Sequence, residues 1–133
     1  MGTPLKVFLI LMALGGAAGG PAHAQSRQIV GTAGFLSEWD VKGAVVEKVA
    51  ADRREFSGPV TLTHVGLCSV NGPEEKRGEI KLQIQRAGSL SRINATITLE
   101  NGKCTYSGHF SDNTSGVMDC SDAKGVPLAF SLK

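Results

Sequence analysis

Beyond the first 24 residues, apolar side chains recur at every second position, the signature of strands with one buried face. Helical spacing persists nowhere in this stretch. The first predicted strand runs from Phe35 to Lys48 and sets Trp39, Val41, Gly43 and Val45 on one face, with Gly43 marking a bend or bulge. The second runs from Phe56 to Cys68 and groups Phe56, Val60, Leu62, His64 and Cys68, with the polar connection Ala51-Asp52-Arg53-Arg54 between the two. From Glu79 to Gln85 polar and apolar residues alternate without a fault, and the charged side faces water.

Glu100-Asn101-Gly102-Lys103 reads as a two-residue hairpin turn, because Asn-Gly tolerates positive φ at both central positions. With Glu100 facing Lys103, Leu99 lies opposite Cys104, Ile97 opposite Tyr106, Ala95 opposite Gly108, and Ile93 opposite Phe110. Every inward residue then meets an inward residue, and a slip of one position turns them all to solvent. Asn94, Thr96, Thr98, Thr105, Ser107 and His109 form the wet face. A sixth strand, Gly116 to Cys120, follows the loop Ser111 to Ser115, and a seventh spans Val126 to Leu132, where Pro127 suits an edge or first position. The expected fold is all-β: an antiparallel up-and-down meander of about seven strands curled into a small closed or half-open barrel, with a two-layer sandwich as runner-up. At this level the chain resembles the calycin type of barrel, although Leu36-Ser37-Glu38 stand before Trp39 where lipocalins carry a Gly-x-Trp opening.

The first residues change the picture by assigning a compartment. Lys6, the apolar run Val7 to Gly20 and the small-residue pattern Ala22-His23-Ala24 read as a cleavable secretory leader over 1–24. A membrane-spanning helix needs about 20 predominantly apolar residues, and this run is shorter and diluted by Gly15, Gly16, Gly19 and Gly20. Gln25-Ser26-Arg27 offers no cysteine for a lipid anchor, and no second long apolar run follows, so no membrane span is expected after cleavage. Residues 25–133 suffice for one domain. The expected location is secreted or periplasmic, a bacterial periplasm being favoured by the Gly/Ala-rich leader.

Loss of Lys6 leaves thirteen basic against twelve acidic residues, a balance that disfavours nucleic acid as a partner. In an oxidising compartment the cysteines become candidates for a disulfide. Alternate turns of a meander gather at opposite ends, which puts Cys68, Cys104 and Cys120 at one end with shared inward parity. Cys104 with Cys120 is the expected bridge because the fifth and sixth strands are neighbours. Cys68 is then the candidate free thiol, read as a buried small hydrophobe with a reactive or intermolecular thiol as the functional alternative. His64, Cys68 and one further cysteine lack paired metal-ligand spacing, so no metal and no cofactor are expected.

Catalytic parts are sparse. After cleavage only His64 and His109 remain, on opposite faces, which argues against a His-centred triad. Glu74 and Glu75 sit in a stretch, Asn71 to Gly78, that reads as a solvated turn, and no glycine-rich phosphate cradle opens a helix. Charge is lopsided: Lys48, Arg53, Arg54, Arg86, Arg92 and Lys133 gather at the end opposite the cysteines, against Asp52, Glu55 and Asp112. The cysteine end collects Glu38, Asp40, Glu74, Glu75, Glu79, Glu100, Asp119 and Asp122, partly offset by Lys76, Arg77, Lys103 and Lys124. The basic rim is suited to steer an anionic ligand, an acidic partner or an anionic surface.

These features point to a non-enzymatic binding protein for a small ligand, with Trp39, Tyr106 and Phe110 as apolar contacts and Arg54, Arg86 and Arg92 as charged ones. The alternative is an envelope protein-interaction module, such as a barrel-type protease inhibitor presenting the loop Val70 to Gly78. An enzyme of unknown type comes third.

Overall fold

Strict alternation of side chains produces a strand when one face can be buried, and in this protein it does so eight times. The computed structural model describes residues 2, 25–50, 52–65 and 72–133. The expected leader, Gly2 apart, and Cys68 lie outside the described residues. The strands are β1 (Ser26–Ala33), β2 (Trp39–Val49), β3 (Arg53–His64), β4 (Glu75–Ala87), β5 (Leu90–Leu99), β6 (Gly102–His109), β7 (Thr114–Cys120) and β8 (Val126–Leu132). Each pairs antiparallel with the next, and β1 pairs with β8, so the meander closes into a barrel without a free edge. The sandwich alternative is thereby excluded.

The strand the sequence pattern does not announce is β1. Its inward positions after the buried Ile29 are Gly31 and the buried Ala33, which carry too little apolar bulk to register as an alternation. The segment is nonetheless held on both sides, with Gly31 facing Val41 of β2 and Phe130 of β8. Elsewhere the inward sets match the expected ones. Ile80, Leu82 and Ile84 of β4 are buried between exposed Glu79, Lys81 and Gln85, and Leu82 faces both Phe56 of β3 and Ala95 of β5.

The interior is filled by side chains from most of the strands. Phe56, Ile29, Leu82, Ile93, Ile97, Val41, Val45 and Val60 are among its fully buried residues. An eight-stranded barrel is about wide enough either to be packed by its own side chains or to hold one small ligand. Branched aliphatics and a phenyl ring in these positions place this barrel in the first class, each burial being worth about 1.5–3 kcal/mol.

Two local expectations are corrected. The β5–β6 register runs two positions away from the expected one: Leu99 faces Gly102, Ile97 faces Cys104, Ala95 faces Tyr106 and Ile93 faces Gly108. The turn is therefore Glu100-Asn101, and neither Asn101 nor Gly102 takes positive φ. Ser121 holds this register, its hydroxyl accepting from the Lys103 amide at 3.0 Å and its own amide donating to the Lys103 carbonyl at 3.0 Å, so that Lys103 is bonded as a strand residue. An even shift leaves every side chain on its expected face. The second correction concerns loops: Phe35 to Glu38 connect β1 to β2 instead of opening a strand, and Glu75 to Gly78 belong to β4, not to a solvated turn.

Candidate functional site

The disulfide and the strand ends around it define one mouth of the barrel. Cys104 and Cys120 are cross-strand partners on β6 and β7 with Cα atoms 3.9 Å apart, bonded as the shared parity and neighbouring strands imply. Around them, Leu62 of β3, Leu99 of β5, Met118 of β7 and Val126 of β8 floor a cavity of about 230 Å³ that opens to solvent. Trp39, the first residue of β2, forms a wall. Lys76 lays its ammonium 4.8 Å from the centroid of the indole, and the His64 ring meets the indole edge-on at 4.7 Å.

The loop over this mouth is built by local rules. Gly34 sits at φ 101°, a conformation that a residue with a Cβ rarely adopts, and Ser37 takes the left-handed conformation at φ 52°. The Gly34 amide donates to the Pro127 carbonyl at 2.9 Å, tying the loop to β8. The Leu36 amide donates to a Glu38 carboxylate oxygen at 2.8 Å. Hydrogen bonds from its own amide and from that of Leu36 hold the Glu38 carboxyl below the usual carboxylate range, with a smaller pull from His64. This fixed turn leaves Phe35 70% and Leu36 89% exposed, two large apolar side chains beside an apolar cavity. Glu38, Asn101, Lys103 and Asp122 supply polar groups at the rim.

His64 does not line this cavity. Its Nδ1 is buried with no hydrogen-bond partner among the described residues, and the ring supports the indole from behind. His109 lies exposed near the opposite end of β6, so the two histidines are separated along the barrel as well as by face. Among the described residues, no cluster of three or more histidine, cysteine or acidic side chains has the proximity to hold a metal ion.

The six nominated ligand contacts divide between three places. Trp39 is at the mouth. Tyr106 is buried in the wall, where its ring closes the gap left when β6 and β7 stop pairing after the Tyr106–Met118 partners; its hydroxyl donates to the Ser115 carbonyl at 3.4 Å. Arg54, Arg86, Arg92 and Phe110 lie at the far end. There Arg54 donates to Glu47 at 2.7 Å and sits 5.2 Å from the Phe56 ring centroid, while its hydrogen bond holds the Glu47 carboxyl below its usual range. Half-buried Phe110 packs on the core, its amide donating to the Ser91 carbonyl at 2.8 Å. The structure thus does not bring Trp39 together with the arginines. Leu62, Lys76, Leu99, Met118 and Val126 escaped sequence reasoning, although each stands near the strand terminus at the cysteine end, which was the signal available.

Comparison with protein-family models, with curated proteins and with solved structures finds no match to this chain. Among the described residues, no helix is long and apolar enough to cross a membrane.

Proposed function

We propose that this is a secreted or periplasmic, non-enzymatic binding protein that takes its ligand at the disulfide-end mouth and not inside the barrel. The observation that carries the reading is a packed interior beneath a solvent-open cavity with an apolar floor and a charged rim. Pockets that enclose drug-sized ligands start at about 300 Å³. A cavity of about 230 Å³ suits one aromatic ring or a short aliphatic group, that is, the apolar end of a small amphiphile or a single anchoring side chain. Export agrees with the leader pattern and with the Cys104–Cys120 bridge.

Native mass spectrometry on protein isolated from its own source tests the reading. Trp39 is the only tryptophan and lines the cavity, so release of a retained molecule should alter its emission. A retained molecule whose release leaves that emission unchanged contradicts it.

The exposure of Phe35 and Leu36 favours a second reading, an envelope protein-interaction module such as a barrel-type protease inhibitor. On this reading Gly34 to Glu38, in place of the stretch Val70 to Gly78, presents the anchors. Replacing Phe35 and Leu36 by serine should abolish partner binding while changing stability by less than about 0.5 kcal/mol, since both already face water.

A further inference from the structure

The far end of the barrel has a composition that the mouth does not need. Arg53 and Arg54 are taken up by Glu55 at 2.9 Å and Glu47 at 2.7 Å. Lys48, Arg86, Arg92 and Lys133 are exposed and form no ion pair among the described residues, while only Asp52 and Asp112 remain as unpaired carboxylates around them. Three connections turn at this end, β2–β3, β4–β5 and β6–β7, and the first two are each flanked by an exposed apolar residue: Val49 closes β2 and is 76% exposed, and Leu90 opens β5 and is 57% exposed. A soluble monomer gains nothing by lifting these side chains into water on the same end as its unpaired cations.

We infer that this end docks on an anionic lipid surface, with Val49 and Leu90 entering the headgroup boundary and Lys48, Arg86 and Arg92 meeting lipid phosphates. Both apolar groups flank turns at the same end of the barrel as the unpaired cations, so one layer is asked to meet both kinds of side chain. Arginine and lysine suit this position because their apolar stems lie along the boundary while their charges stay in water. The orientation follows from the opposite end, where Glu38, Glu74, Glu75, Glu100, Asp119 and Asp122 outnumber Lys76, Arg77, Lys103 and Lys124 and disfavour an anionic layer. Docking therefore turns the disulfide-end mouth away from the lipid, open to the aqueous space, and the inference stands whether or not that mouth binds a ligand.

Vesicle flotation provides the test, using mixed phosphatidylcholine–phosphatidylglycerol vesicles against phosphatidylcholine alone. The protein should float with the mixed vesicles at low salt, be released as salt rises, and lose partition about fivefold for each of Arg86→Gln and Arg92→Gln. Both arginines are exposed, so the variants should keep the wild-type circular dichroism. In a Trp39→Phe background, Leu90→Trp should shift its emission to the blue on mixed vesicles, whereas Trp39 of the native chain should not respond. Absence of flotation at low salt, equal flotation with phosphatidylcholine alone, or a response from Trp39 with none from Leu90→Trp overturns the inference. Retention on heparin without flotation overturns it too, by assigning the cations to a soluble polyanion.

Discussion

The ring of Tyr106 lies against Gly116, so close that a methyl group on the glycine would stand 2.6 Å from Cε2. On the other side of the ring, a Cβ at Gly108 would fall 2.9 Å from Cζ and collide with the hydroxyl. The phenol thus fills the seam between β6 and β7 only because both flanking residues lack side chains, and it meets Phe130 edge-on at 6.2 Å inside. Gly116→Ala should displace the ring and destabilise the protein by about 1–3 kcal/mol, the range for overpacking a closed site. Tyr106→Phe, which gives up only one long hydrogen bond, should cost less than about 1.5 kcal/mol. Urea unfolding of the two variants checks both values, and a Gly116→Ala loss below about 1 kcal/mol would contradict the ring's role as a plug.

How much of this was legible in the sequence depends on what alternation encodes. Ile80, Leu82 and Ile84 declare their strand because each is flanked by polar residues, whereas β1 stays hidden behind Gly31 and Ala33. Alternation also fixes parity without fixing register. Ile97 was expected opposite Tyr106 and faces Cys104, yet both pairings keep all three side chains inside. The Cys104–Cys120 pairing was readable because it needs only parity and neighbouring strands. The mouth was not, because Trp39, Leu62, Lys76 and Val126 come from four separate strands and meet only when the barrel closes.

The disulfide joins residues 16 apart in sequence, beside the end of the short β6–β7 pairing. Its removal by Cys104→Ala with Cys120→Ala should cost about 3 kcal/mol on the chain-entropy account. Denaturant midpoints with and without the bridge measure this. Because the bridge lines the cavity, the same change should also alter Trp39 emission in the folded state.

Acid should weaken the fold through Glu38 and Glu47, whose carboxyls are both held below their usual range, the first by backbone amides and the second by Arg54. A lowered native value means the unfolded chain binds the proton more readily. The stabilisation is therefore complete above the unfolded glutamate value of about 4.3 and fades as pH falls through the native value. Urea midpoints recorded from about pH 6 down to about pH 3 should decline less steeply for Glu38→Gln combined with Glu47→Gln than for the native chain. An unchanged slope would show that neither carboxylate is engaged in solution.

Amide chemical-shift mapping of the isotopically labelled protein, titrated with the molecule released from its native preparation, addresses the mouth itself. Perturbations should concentrate at Gly34 to Trp39, Asn101 to Cys104 and Val126, leaving Ile29, Phe56 and Leu82 in place. Shifts centred on those three interior residues, or on Arg54, Arg86 and Phe110 at the far end, would contradict a packed barrel that binds at its disulfide rim.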